Sequence, residues 1–192
     1  MAGKKRIGVL ALQGAFLEHQ QMLRRLKVDA VQVRTQEDAA SVDGLIIPGG
    51  ESTTIGKLLV DYDLADLIRS RAQEGMPVFG TCAGMIVLAH DTPGFNQYSL
   101  DLMDISVLRN AFGRQVDSFE AELDIEGLAG PFRGIFIRAP YVTRVGTDVK
   151  VLCSYEGHPV MVRQGSLLAA SFHPELTKDV AIHAFFTDIV GS

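Results

Sequence analysis

Cysteine is scarce in this sequence: Cys82 and Cys153 are the only two in 192 residues. They cannot build a disulfide framework, and neither sits in a Cys-x-x-Cys pair that would suggest zinc. A reducing, cytoplasmic setting without a bound metal is therefore expected. No apolar run approaches the roughly 20 residues that a membrane helix needs. The apolar stretch behind the basic residues 1–6 is soon broken by Gln13 and Gly14, unlike a secretory signal. Lys and Arg are scattered through a chain of net charge -5, so there is no basic stripe of the kind that binding to nucleic acid requires. With only 7 prolines, and no repeat, low-complexity segment or linker, nothing divides the chain. What is present, 47% apolar residues, suits one compact α/β domain over residues 1–192.

The apolar pattern gives the order of elements. Residues 7–12, 28–33, 44–47 and 76–79 read as strands. Between and after them, residues 15–26, 52–59, 64–72 and 85–89 have helical spacing, with Ser52 a candidate cap for the second of these helices. Strands alternating with helices predict an open, mostly parallel, twisted sheet with helices on both faces, flavodoxin-like in type. From residue 105 to 164 the texture changes to short β-like pieces at 105–108, 134–137, 149–154 and 160–162, divided by Gly and Pro. This half is expected to be more antiparallel. A buried strand at 167–172 and a closing helix at 178–190 complete the order.

Open α/β sheets bind ligands outside the carboxyl ends of their strands. Three such places stand out. Gly80-Thr81-Cys82-Ala83-Gly84 is a cysteine version of a nucleophile elbow, in which flanking glycines permit a crowded strand-to-helix turn that pushes the central side chain into the cleft. The helix behind it puts partial positive charge near the sulfur. At Ser171-Phe172-His173-Pro174-Glu175, residues two apart in an extended segment point the same way, so Glu175 can hold one nitrogen of His173 while the other faces the thiol. In Pro48-Gly49-Gly50-Glu51-Ser52, paired glycines let backbone N–H groups approach a substrate. The N–H groups of Gly50 and Ala83 are the expected oxyanion donors. No P-loop lysine follows, which argues against a phosphate site. Cys153 with His158 is a rival pair that lacks an elbow and a third member, while His19, His90 and His183 read as ordinary residues on or at the ends of helices.

These motifs carry a resemblance. Together with Leu10-Ala11-Leu12-Gln13-Gly14, Gly50-Glu51-Ser52-Thr53-Thr54, Arg109-Asn110-Ala111-Phe112-Gly113-Arg114-Gln115 and Phe136-Ile137-Arg138-Ala139-Pro140, they make the sequence similar, nearly end to end, to the glutaminase subunits of pyridoxal 5'-phosphate synthase, a group of class I glutamine amidotransferases. The resemblance implies a catalytic triad of Cys82, His173 and Glu175. It also implies a glutamine site lined by Gly50, Glu51, Ser52, Arg109, Ile137 and Arg138. A separate synthase subunit is the implied partner in a hetero-oligomer, combining the ammonia with ribose 5-phosphate and glyceraldehyde 3-phosphate, and no cofactor is implied for this chain. The stretch Ser99-Leu100-Asp101-Leu102 departs from the glycine-containing sequence expected at that point.

Glutamine is a zwitterion, so its charged end must be held while its side-chain amide is cleaved. Arg109 or Arg138 could take the α-carboxylate and Glu51 the α-ammonium; the sequence does not choose between the arginines. Gln13 and Gly14, after the first strand, are the expected point of coupling to the synthase subunit. Two other readings stand beside this one: a cysteine hydrolase of similar fold with another substrate, and a catalytically silent subunit that only binds the synthase. Release of ammonia from glutamine separates the first alternative, and an unreactive Cys82 in the complex would mark the second.

Overall fold

The computed structural model describes residues 5–112 and 117–192; Gly113, Arg114 and Gln115 of the motif at 109–115 lie outside the described residues. The first strand, β1 (Arg6–Leu10), leads through Gln13 and Gly14 into α1 (Phe16–Arg25), followed by β2 (Asp29–Val33), α2 (Gln36–Ala40) and β3 (Gly44–Ile47). Next come α3 (Ser52–Asp61), α4 (Ala65–Gln73), β4 (Val78–Thr81) and α5 (Ala83–Leu88). Seven strands follow: β5 (Ala89–Asp91), β6 (Met103–Leu108), β7 (Ser118–Leu123), β8 (Phe132–Ile137), β9 (Tyr141–Val145), β10 (Lys150–Tyr155) and β11 (His158–Gln164). The described chain ends with β12 (Leu167–Ala170), a 3-10 turn (Pro174–Leu176) and α6 (Ala181–Ile189).

The main sheet has seven strands in the order β10-β11-β12-β4-β3-β1-β2. The pairs from β2 across to β12 are parallel, while β10 and β11 extend the sheet antiparallel. This is the expected α/β sheet, and its strand order reverses between β1 and β3, where doubly wound folds open a ligand crevice. A β5-β6-β9 sheet and a β7-β8 pair account for the antiparallel texture of the second half.

Side chains alternate across the strands, so each strand serves two cores. Leu45, Ile47, Val78 and Ala169 pack with residues of α3, α4 and α5, including Ile55, Leu59, Ile68 and Met85. Ile46, Phe79, Leu168 and Ala170 face the other way, against Leu23 of α1, Ile182 and Phe186 of α6, and Phe132 and Phe136 of β8. Each of the larger of these side chains, Val, Leu, Ile, Met or Phe, contributes about 1.5–3 kcal/mol when fully removed from water.

One local expectation is corrected and two details are added. Glu51, not Ser52, caps α3: its carboxylate accepts the Thr54 N–H at 2.8 Å, while the Ser52 hydroxyl donates to Gln97 Oε1 at 2.9 Å. The short helix α2, absent from the sequence reading, is held by a capping box in which Thr35 and Asp38 bond each other's backbone N–H. Asp101 takes φ 50°, so the place where the sequence departs from glycine has a left-handed backbone, with the Asp101 carboxylate 2.7 Å from His90 Nδ1.

Candidate active site

Cys82 follows β4 directly and caps α5 with φ 49° and ψ -102°, a conformation that costs an L-residue strain. The turn is tight enough to require its glycines. A Cβ on Gly84 would lie 2.1 Å from the Ile47 carbonyl oxygen, and one on Gly80 would lie 2.5 Å from the backbone of Gly84. The Cys82 N–H donates to the Ala170 carbonyl at 2.8 Å, tying the elbow to β12.

That strand also leads into His173. The backbone N–H of His173 donates to the Ile135 carbonyl at 2.8 Å, which fixes the segment against β8. Its Nδ1 is 2.7 Å from Glu175 Oε1, and its ring lines the same cleft as the Cys82 thiol, whose S–H points to the Ile137 carbonyl at 3.9 Å. The pairing with Glu175 is the expected one, but Glu175 reaches it from the 3-10 turn and not from an extended strand. Burial alone would lower the pKa of His173; the neighbouring Cys82 and the hydrogen-bonded carboxylate of Glu175 push it up to about 10. Burial would likewise raise the carboxyl of Glu175, but the facing His19 and the bond to His173 hold it below the usual carboxylate range.

The Pro48-Gly49-Gly50 loop closes one side. A Cβ on Gly49 would lie 2.4 Å from His173 Cε1, and one on Gly50 would lie 2.3 Å from Gln13 Oε1, so the base and the first loop press directly on this backbone. Gln13 Oε1 accepts the Glu51 N–H at 2.8 Å, and the Gly49 carbonyl accepts the Ala15 N–H at 3.0 Å. Gly14, at φ 99°, has no room for a side chain because a Cβ there would lie 2.0 Å from the same carbonyl oxygen.

Between these walls lies a cleft of about 480 Å³. It is lined by Gln13, Gly14, Gly50, Glu51, Ser52, Cys82, Ala83, Arg109, Ile137, Arg138 and His173, with Glu175 buried behind His173. The expected site residues are thus brought together. Glu51 Oε1 meets Arg109 at 3.1 Å, and its other oxygen takes Thr53 and Thr54. Against the opposing effect of partial burial, the bonds from these threonines hold the Glu51 carboxyl down to about 2. The Arg109 guanidinium also donates to Gln97 Oε1 at 3.1 Å and lies 4.0 Å over the Phe95 ring. Arg138, at φ 42°, is anchored by its backbone N–H to the Asp117 carbonyl at 2.7 Å, and among the described residues its guanidinium has no hydrogen bond.

Residues 9–191 match the SNO glutamine amidotransferase family. This chain belongs to that family. It is 54% identical over 187 residues to pyridoxal 5'-phosphate synthase subunit PdxT of Moorella thermoacetica, covering 97% of this chain and 100% of that one. It is 56% identical over 184 residues to the PdxT subunit of Pelotomaculum thermopropionicum, covering 95% and 94%. A crystal structure of a glutamine amidotransferase superposes with a TM-score of 0.93 at 51% identity, over 97% of this chain and 99% of that one.

Against this family background the rival cysteine recedes. Cys153 is buried in β10, where desolvation and the charge of Asp124 push its thiol up to about 11. His158 is the first residue of β11 and not part of a turn; its ring stacks 3.8 Å from that of Tyr141. The reading of the remaining histidines needs a larger correction. His90 lies in β5, whereas His19 and His183, on α1 and α6, are fully buried and in contact with each other at 2.9 Å. His19 reaches Thr81 and Glu175 as well. The helical spacing of α1 could have flagged His19, since it falls beside Met22 and Leu23 on the buried face; what it meets there lies too far along the chain to be read.

Proposed function

We propose that the chain, as one glutaminase domain working in the cytoplasm, hydrolyses L-glutamine to L-glutamate and ammonia and passes the ammonia to a pyridoxal 5'-phosphate synthase subunit. The observation that carries the chemistry is His173, held at 2.7 Å by Glu175 on one nitrogen and lining the same cleft as the elbow cysteine. Cys82 gives its thiol proton to His173 as Sγ attacks the side-chain amide carbon, and the carbonyl electrons move onto oxygen. The Ala83 N–H and the Gly50 N–H are the donors for that oxyanion; the latter lies on the edge of its peptide opposite the carbonyl that Ala15 holds. As the C–N bond breaks, His173 gives its proton to the departing nitrogen. Water, deprotonated by the same ring, then opens the thioester and frees glutamate.

The charged end of glutamine fits the polar end of the cleft. Arg138 has no competing hydrogen bond among the described residues, whereas Arg109 is already engaged by Glu51, Gln97 and Phe95. Arg138 is therefore our choice for the α-carboxylate, with Glu51 receiving the α-ammonium and Arg109 orienting Glu51. The PdxT relatives, at 54–56% identity, support a pyridoxal 5'-phosphate synthase as the consumer of ammonia; ribose 5-phosphate and glyceraldehyde 3-phosphate as its other substrates follow from the resemblance alone.

Coupled measurement of glutamate release, with and without the cognate synthase, tests the whole reading. Cys82→Ala should be folded, bind the synthase and release nothing, while Cys153→Ala stays active. An inactive, folded Cys153→Ala beside a working Cys82→Ala would reverse the assignment.

A further inference from the structure

Glu175 uses Oε1 for His173, while its Oε2 is buried and, among the described residues, without a partner at ordinary hydrogen-bond distance. A buried carboxylate oxygen demands a donor. The group facing it is His19 Nε2, 3.4 Å away, and the same nitrogen lies 3.1 Å from Thr81 Oγ1. Thr81 Oγ1 in turn accepts the Gly49 N–H at 3.1 Å. On its other side, His19 Nδ1 meets His183 Nε2 at 2.9 Å, and His183 Nδ1 is buried with no partner among the described residues.

These contacts fix where the protons sit. Both rings are fully buried, and desolvation holds both neutral, so each carries one N–H. If His19 carried its proton on Nδ1, a lone pair would face the Glu175 carboxylate, and His183 would be left with an orphaned, buried N–H. With the proton on Nε2 of each ring, His183 donates to His19, His19 donates toward Glu175 and Thr81, and the group left unpaired is a lone pair.

We propose that His19 is a positioning residue for glutamine hydrolysis, its Nε2–H serving both the carboxylate that orients His173 and the hydroxyl that pins the Gly49 peptide. The base and the oxyanion loop are then set as one unit by a side chain that never touches substrate. Because this donor is uncharged, it steadies Glu175 without neutralising the charge that the imidazolium of His173 needs. The proposal rests on the triad reading above.

The test uses the full chain assembled with its synthase. In His19→Leu, turnover should fall by about 10²-fold, the scale of a small misplacement of reacting groups, with KM for glutamine little changed. His19→Gln, which restores an N–H donor, should recover most of that loss. On the unaltered chain, ¹⁵N-histidine NMR should show His19 as an Nε2–H imidazole. Wild-type turnover in a folded His19→Leu, or a His19→Gln as slow as His19→Leu, would overturn the role. An Nδ1–H or cationic His19 would do the same, and this measurement decides even where His19→Leu does not fold. Turnover by Cys82→Ala would bring down the triad and His19 with it; an inactive Cys82→Ala beside a fully active His19→Leu removes His19 alone.

Discussion

Exchanging Glu175 for glutamine keeps the shape of the side chain and an acceptor for His173 but removes the charge that favours the imidazolium. Glu175→Gln should therefore fold and turn over more slowly by up to about 10⁴-fold, read as kcat in the synthase complex; near-normal turnover would take Glu175 out of the triad. The buried rings behind it make a separate statement about pH. His19 and His183 are held below the ordinary value of 6.5 by burial, so below that pH the unfolded chain takes up more protons than the native one and stability falls. His173 has the opposite sense: raised to about 10, its contribution is complete below 6.5 and is lost as pH rises through about 10. The urea midpoint should thus drop between about pH 7 and about pH 5.5, and drop less steeply in His183→Gln, which removes one titrating ring. An unchanged slope in that variant would mean that the His183 ring does not titrate this way.

Elements are where the two glycines of the elbow act. Gly84→Ala would drive a methyl group into the Ile47 carbonyl, so β3 and α5 must separate. The expected loss is about 1–3 kcal/mol of stability, measured by denaturant unfolding, with turnover lost as the elbow shifts. A fully stable and active Gly84→Ala would show that the close approach is dispensable. The parallel strands and their helices were legible because apolar runs and glycine turns mark them. Residues 76–79 read as a strand, yet β4 runs Val78–Thr81: Met76 still bonds the end of α4 through the Arg71 carbonyl, and the pairing of Ala170 with Thr81 draws the strand further on. β7 was not read because Glu120 and Glu122 interrupt its apolar residues, and its partner β8 lies outside the main sheet. The meeting of Cys82, His173 and Glu175 could be read because each follows a strand in a marked turn. The support beneath it could not, since His19 and His183 are 164 positions apart and nothing local ties them.

At the scale of the whole molecule, the loop bearing Gln13 and Gly14 is packed against the Gly49 and Gly50 backbone, and Gln13 also bonds the Glu51 N–H. A partner pressing on this loop would move the oxyanion donor. The isolated chain is expected to hydrolyse glutamine slowly and the synthase to accelerate it, by as much as the about 10²–10³-fold that one oxyanion donor supplies. Steady-state kinetics of wild type and Gln13→Ala, each with and without the synthase, separates the two claims: a fully active free chain sinks the switch, and activation that survives in Gln13→Ala sinks the route through Gln13. The contact between α1 and α6 also has a consequence in time. Synthesis proceeds from the N-terminus at about 5–20 residues per second, so the thiol, the base and the loop all leave the ribosome before α6 does. Until then His19 lacks His183, and the face of the sheet that Ile182 and Phe186 cover is bare. Ribosome-stalled chains that have not yet exposed residues 181–189 should therefore release no ammonia, and turnover by such chains would disprove the dependence. A cell making this protein would then spend no glutamine on nascent chains.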